Sequence, residues 1–440
     1  MLLHSTRRQA PPVTFREALM SGIAPDGGLY LPVGLPPLAP AQIEAWRGLP
    51  LSTLSVRLAE QLLSGEASPD AIDRLVRDAF SFPAPTVHVE RRSFVLELFH
   101  GPTLAFKDFG ARFLARFFGH FLAERGDHAT ILVATSGDTG SAVAHGFHQV
   151  TNIRVVLLYP AGRVSPFQEA QMSALGGNVI ALAVPGTFDD CQRLVKAAFL
   201  DPSLEALNLS SANSNNIGRL IPQSFYYFAS YLSMGGTPGE PVVFSVPSGN
   251  LGNLTAGVMA QRLGLPVRRF VAAANVNDVL PEYLRTGVYR ARPAISTLSN
   301  AMDVGDPSNF PRLLELHGGD LAALQQNLEG ITVGEGETRA TIRALYERTG
   351  YVLDPHGAVA YAAAQRYSRT SGIDVPIISL ATAHPGKFGR AVAEELGFEP
   401  PLPEAFRDWE KWPRAIESLP DTRFETFRRF LTDYRQAQGA

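Results

Sequence analysis

From residue 93 onward, short apolar runs rich in β-branched residues alternate with longer stretches whose apolar positions recur every three or four residues. The short runs are "SFVLEL", "TILVAT", "IRVVLLY", "NVIALAV", "PVVFSV", "VRRFVAA" and "PIISLAT". Strands alternating with amphipathic helices predict βαβ units and mostly parallel sheets. Right-handed crossovers then place the loops that follow the strands along one edge of each sheet. Before about Glu90 the pattern differs: "PDGGLYLPVGLPPLAP" is broken by glycine and proline, and "QIEAWRGLPLSTLSVRLAEQLL" has helical periodicity. A seam at "YLSMGGTPGEP" separates the strand groups. The division expected is 1–92 as a helical N-terminal subdomain, 93–235 as a small α/β domain and 236–440 as a large α/β domain. The C-terminal "AFRDWEKWPRAIESLPDTRFETFRRFLTDYRQAQGA" is charged and helical in pattern, with Trp409, Trp412, Phe424, Phe427 and Phe430 able to pack on the body.

Composition narrows the class. A chain of 440 residues with 45% hydrophobic and 18% charged residues has room for a large core and little for a disordered arm. The net charge of −3 comes without any block of Lys/Arg that would track a phosphate backbone, so nucleic acid is not an expected partner. Arg7 and Arg8 precede any apolar segment long enough for a secretion signal, and no apolar run reaches membrane-spanning length. The expectation is a soluble cytoplasmic protein without membrane contact. One cysteine, Cys191, excludes an internal disulfide and a cysteine-cluster metal site, and no metal is expected. Its helical surroundings, "FDDCQRLVKAAF", suit a buried structural thiol.

Four segments carry candidate chemistry. In "HGPTLAFKDFG" one cation, Lys107, sits among apolar and aromatic residues directly after a strand. Burial disfavours the ammonium and frees an amine, as a Schiff-base lysine requires; a lysine reaching to solvent from an amphipathic helix fits the same letters. "TSGDTG" and "SGNLGN" each end a strand and open a helix, and such turns offer unpaired N–H groups to phosphate or carboxylate. Neither matches the Walker or dinucleotide patterns. In "LSSANSNNIGRL", Asn213, Ser214, Asn215 and Asn216 precede Arg219: either a turn and a capped helix, or neutral donors with one guanidinium for a phosphate monoester. "SLATAHPGKFGR" follows a strand with Thr382, His384 and Lys387, and a lysine at a helix start is unfavourable unless an anion sits there. His384 reads as a loop bridge and His356 as a helix-cap or core histidine.

Taken in order, "FHGPTLAFKDFG", "TSGDTG", "SANSNNIGRL", "VPSGNLGNLTAG", "NAMDVGDPSN", "LDPHGAVAY" and "TAHPGKF" resemble the threonine synthase family of pyridoxal-phosphate enzymes, over residues 13–398 or so. The resemblance implies fold type II, an α/β architecture of two βαβ-type open sheets like the tryptophan synthase β subunit. It implies that Lys107 carries pyridoxal 5'-phosphate. The backbone around Gly249, Asn250, Leu251, Gly252 and Asn253 would hold the cofactor phosphate, and Thr382 would face the pyridine nitrogen. Ser136, Gly137 and Thr139 would hold the substrate carboxylate, with Asp138 bordering the cofactor's phenolic oxygen. Asn213, Ser214 and Arg219, with Lys387, would bind the substrate phosphate.

The implied reaction is that of a carbon-oxygen lyase acting on phosphates: O-phospho-L-homoserine and water give L-threonine and phosphate, in a monomer or weak homodimer. Its rivals are a serine/threonine dehydratase-like enzyme, which needs no second phosphate site, and a non-catalytic paralogue that binds phosphorylated amino acids. Two residues depart from the family pattern. Other fold type II enzymes commonly have Asn where Asp138 stands, so a carboxylate there must be protonated or turned away. The chain is most similar to the branch of the family with an N-terminal extension, found in many bacteria and fungi, and that branch usually shows "GNFGD" where the chain has "GNLGN".

Overall fold

The computed structural model describes residues 1–436. Strands β1 (Leu2–Ser5), β2 (Val13–Thr14) and β3 (Tyr30–Pro32) pair antiparallel in the order β2-β1-β3. This small sheet is an addition to the helical reading of the N-terminal segment, whose helices Leu51–Leu63 and Pro69–Ala79 follow it. Next come β4 (Thr86–Glu90) and β5 (Ser93–Glu97), then β6 (Ala129–Ala134), β7 (Ile153–Pro160), β8 (Val179–Val184) and β9 (Leu209–Ser210). The last are β10 (Val242–Pro247), β11 (Val267–Ala274), β12 (Leu328–Thr332), β13 (Ile377–Ala381) and β14 (Ile416–Ser418).

They form two further open sheets. One has six strands in the order β12-β11-β10-β13-β5-β4, parallel except for the β4–β5 pair; the other has five parallel strands in the order β14-β8-β7-β6-β9. All seven apolar runs of the sequence became strands. Every residue of β6, β8 and β10 is buried, as expected of parallel strands covered by helices on both faces.

Sheet membership cuts across the segments 93–235 and 236–440. β5 opens the first segment yet pairs with β13, and β14 lies in the second yet pairs with β8. Strand pairing joins residues far apart along the chain, so a linear division does not capture it.

Helix Lys107–Arg125 spans the junction. Phe109, Phe113, Phe117 and Phe121 repeat every four residues, all buried on one stripe. Phe113 and Phe117 lie 4.5 Å apart, and Phe117 meets Phe15 of the N-terminal helix Phe15–Ser21 edge-on at 6.0 Å. Each buried ring contributes about 1.5–3 kcal/mol relative to exposure, so this stripe fixes where the helix begins, at Lys107.

The C-terminal helix Phe424–Gln436 packs Phe427 and Leu431 into the apolar cluster behind β8, and Trp409 and Trp412 lie 5.4 and 6.4 Å from the Phe167 ring. The last four residues of that segment lie outside the described residues. Cys191 is buried within helix Phe188–Leu200, where burial pushes its thiol up to about 12. Among the described residues no helix is long and apolar enough to cross a membrane, and no cluster of three metal-ligating side chains occurs.

Candidate active site

Strand order assembles the site. β5, β13 and β10 are adjacent and parallel, so the loops after them, 98–106, 382–388 and 248–251, leave one edge of the six-stranded sheet. β6 and β9 are adjacent and parallel in the other sheet, which brings loops 135–137 and 211–216 together. The two edges meet where Lys387, in the loop after β13, donates from Nζ to Oδ1 of Asp138, after β6, and the loops of the six-stranded sheet also bind each other. Phe106 N–H donates to the Thr382 carbonyl (2.9 Å) and His384 N–H to the Leu104 carbonyl (3.0 Å), seating the start of the Lys107 helix beside the end of β13. Leu104 and Leu251, both non-glycine, adopt left-handed backbone at φ 56° and 61°. Such conformations cost about 1–3 kcal/mol and concentrate at functional sites.

Lys107 is half-buried, and its Nζ lies 5.5 Å from the Phe106 ring centroid. Its amine makes no hydrogen bond among the described residues. Burial lowers its pKa; the Asp138 carboxylate opposes this, and the cations Lys387 and Arg219 add to it. The first position of a helix is a further disfavoured place for an ammonium. Next to it, Asp108 is completely buried and accepts from Thr103 N–H (2.8 Å) and Thr103 Oγ1 (2.7 Å), which locks the loop before Lys107 onto its helix. Burial pushes the Asp108 carboxyl up to about 6, against those hydrogen bonds.

The carboxylate of Asp138 is engaged by two side-chain donors. Lys387 Nζ donates to Asp138 Oδ1 (2.6 Å) and to the Thr103 carbonyl (2.7 Å), and Gln168 Nε2 also donates to Asp138 Oδ1 (2.9 Å). The Lys387 and Asp138 side chains are 1% and 5% exposed. Burial alone would raise the Asp138 carboxyl; Lys387, Lys107 and the two hydrogen bonds outweigh it and hold the group well below the usual carboxylate range. This supplies the anion that Lys387 needs. Lys387 sits in the 3-10 turn Pro385–Phe388, ahead of helix Gly389–Leu396, and its head group is engaged by Asp138.

The two donor-rich turns have spare capacity. Helix Gly252–Arg262 begins without a side-chain cap, leaving its first N–H groups for a ligand. Asn253 Oδ1 accepts from Tyr226 Oη and Tyr227 Oη, both at 2.7 Å, while its Nδ2 is buried without a partner among the described residues. An acid at this position would accept the same two hydroxyls; asparagine does so and adds a donor. Across the cleft Arg219, 3% exposed, gives Nη1 to the Ala212 carbonyl (2.8 Å) and leaves Nε buried and unpartnered. Burial pulls its pKa down to about 10, against the attraction of Asp108. Asn213 and Ser214 are half-buried beside it, Ser136 is exposed at its loop tip, and Thr139 is half-buried in the first turn of helix Asp138–Phe147. Thr382 is buried at the end of β13.

Some residues were not singled out by the sequence. Thr103, Asp108 and Gln168 hold Lys107, Lys387 and Asp138 in place. The "DPSNFPR" stretch backs the 248–253 turn: Ser308 N–H donates to Asn250 Oδ1 (3.2 Å) and Asn309 Nδ2 to the Asn250 carbonyl (3.0 Å). Its Arg312 is fully buried, and an arginine amid "NFPRLLEL" was the available signal. His356 is a core histidine with both ring nitrogens engaged, by Asp354 (2.7 Å) and by Ala301 N–H (3.1 Å), and His384 accepts at Nδ1 from Gly386 N–H (3.0 Å).

A depressed amine, an uncapped helix start with an orphan amide donor, and an orphan guanidinium N–H meet between the strand ends of two open sheets. These groups fit a phosphorylated aldehyde cofactor and a second anion. Fold and site define a pyridoxal-phosphate-dependent enzyme of fold type II, and residues 81–382 match the family described as pyridoxal-phosphate dependent enzyme. Within that class the chain belongs to the threonine synthase family: residues 3–80 match the threonine synthase N terminus and residues 357–431 the threonine synthase C-terminal family. The threonine synthase of Haemophilus influenzae is 44% identical over 436 residues, covering 98% of this chain and 99% of its own. The crystal structure of pyridoxal-phosphate-bound threonine synthase from Brucella melitensis superposes with a TM-score of 0.94 at 39% identity over 99% of both chains. That of threonine synthase from Escherichia coli gives 0.90 at 41% identity, over 99% of this chain and 100% of that one.

Proposed function

We propose that the chain converts O-phospho-L-homoserine and water to L-threonine and inorganic phosphate, with pyridoxal 5'-phosphate joined to Lys107. The observation that carries this reading is the Lys107 amine, depressed by burial, lying in the field of Arg219, whose Nε is left without a partner. When bound, the cofactor supplies an electron sink that lets protons leave the substrate carbons. In the balanced reaction a proton leaves Cβ, the Cγ–O bond breaks with release of phosphate, Cγ gains a proton, and water adds its hydroxyl at Cβ while its other proton goes to the released phosphate.

The protein's part is binding and proton handling. The turn of Gly249, Asn250, Leu251, Gly252 and Asn253 takes the cofactor phosphate, and the Thr382 hydroxyl serves the pyridine nitrogen. Ser136, Gly137 and Thr139 take the substrate carboxylate. Asn213, Ser214 and Arg219 take the substrate phosphate; Lys387, engaged by Asp138, serves as that carboxylate's counter-charge. Lys107 Nζ, shifted toward the neutral amine, suits acceptance of the Cα proton and its return. Asp138, held ionised by Lys387, keeps a negative field beside Lys107 without needing a proton of its own. All these residues lie on one chain, which fits a monomer or weak homodimer, and the single buried thiol fits the cytoplasm.

The test is product analysis with O-phospho-L-homoserine. Threonine and phosphate should form one to one, Lys107→Ala should abolish both, and Arg219→Ala should lower kcat/KM by about 100-fold or more, as expected for loss of a charge-assisted contact to phosphate. Ammonia and keto acid in place of threonine, or an Arg219→Ala protein with intact turnover, would refute the assignment and favour a dehydratase.

A further inference from the structure

Helix Phe310–Glu315 carries a charged side chain that the assignment above does not use. Arg312 is 0% exposed, and every group it binds is neutral. Its Nε donates to the Tyr30 carbonyl (2.9 Å), its Nη1 to Asn309 Oδ1 (2.8 Å) and to the Ser214 carbonyl (3.4 Å), and its Nη2 to the Asn215 carbonyl (2.7 Å). Among the described residues it has no carboxylate partner. A buried guanidinium without a counter-charge is costly, so its presence calls for a use that a neutral side chain does not fill.

The acceptors come from three places. Tyr30 lies in β3 of the N-terminal sheet, and Ser214 and Asn215 lie in the loop after β9. Asn309 in turn donates through Nδ2 (3.0 Å) and its backbone N–H (3.3 Å) to the Asn250 carbonyl, in the turn after β10. One guanidinium thus ties the loop expected to hold the substrate phosphate, at the edge of the five-stranded sheet, to the turn expected to hold the cofactor phosphate, at the edge of the six-stranded sheet. Only a planar fork with donors pointing in several directions spans these acceptors; a lysine presents its donors from a single point.

We infer that Arg312 is a positioning residue that sets the spacing between the two phosphate-binding loops and thereby the affinity for the substrate phosphate. The inference rests on the assignment of those loops in the proposed function.

It is tested on purified holoenzyme with Arg312→Lys, which keeps the charge and removes the fork, and with Asn309→Ser, which keeps Arg312 and removes the Asn309 side-chain bridge between it and Asn250, leaving only the backbone N–H bond. KM for O-phospho-L-homoserine and the calorimetric Kd of inorganic phosphate are compared with the wild type, alongside kcat per bound cofactor and the melting temperature. Arg312→Lys should raise both KM and Kd by about tenfold or more, with a smaller loss in kcat, and Asn309→Ser should raise the same two constants to a lesser extent. A merely structural role would lower the melting temperature and the yield of active enzyme while leaving KM and Kd unchanged, and that result would overturn the inference. Should Arg312→Lys fail to fold, Asn309→Ser decides alone: a rise in both constants supports the inference and unchanged constants overturn it. A wild-type enzyme that binds phosphate but makes no threonine would instead sink the proposed function, and the Kd values would still judge Arg312.

Discussion

A carboxylate beside an amine that must lose its proton is tolerable only if another cation carries the counter-charge. Asp138 meets this condition through Lys387, and the pair is nearly solvent-free. Replacing Asp138 with alanine leaves a buried ammonium, so Asp138→Ala should destabilise the protein by about 3–5 kcal/mol at neutral pH, measured by urea unfolding. The native value of Asp138 lies below its ordinary one. The stabilisation it brings is therefore complete above the unfolded-state value of about 3.9 and is lost as pH falls through the depressed native value. The gap between wild type and variant should stay constant from neutral pH to about pH 5 and narrow below about pH 4. Asp108 contributes with the opposite sign, since its carboxyl is pushed up to about 6 and its effect favours the fold at lower pH, but it is common to both proteins and cancels in the comparison. The sequence marked Asp138 as a departure and Lys387 as a cation in need of an anion. That each answers the other was hidden, because 249 residues separate them.

Helix Lys107–Arg125 links packing to chemistry. Lys107 and Gly110 are one turn apart on the same face, and Arg219 lies over Gly110: a Cβ there would stand 2.8 Å from the Arg219 carbonyl oxygen and 2.9 Å from its Nε. In an exposed helix Gly→Ala gains about 1 kcal/mol. Here Gly110→Ala should lose about 1–3 kcal/mol through overpacking, with a raised KM for the phosphorylated substrate as Arg219 is displaced; thermal unfolding and steady-state kinetics check both. Periodicity found the strands of both open sheets that have long apolar runs. It missed β4, β9, β12 and β14, which lack them: β9 has two residues, and β14 is exposed throughout. Such strands exist because a neighbouring edge offers hydrogen bonds, a cause that lies outside their own letters.

The three sheets meet around the cleft, and each contributes: Lys107 and Thr382 follow strands of one, Asp138 and Arg219 follow strands of another, and the N-terminal sheet anchors Arg312 through Tyr30. The N-terminal helix Phe15–Ser21 also braces the loop after β9, since Asn216 Nδ2 donates to the Leu19 carbonyl (2.8 Å). With every assigned residue on one chain, specific activity should stay constant over a dilution of about a thousandfold; a loss of activity that tracks dissociation in sedimentation would show that a second copy completes the site.

Local pattern was sufficient for the seven strands with long apolar runs and the helices between them, for the lysine beside aromatic residues and for the turns that expose backbone N–H groups, because each depends on neighbours a few residues away. The pairing of Asp138 with Lys387, the packing of Arg219 on Gly110 and the bridging by Arg312 had to await the folded chain. Those depend on which strand ends lie side by side, and sheet order is set by burial and hydrogen bonding summed over distant segments. Coulomb energy and steric fit follow distance in space, which spacing along the chain does not reveal.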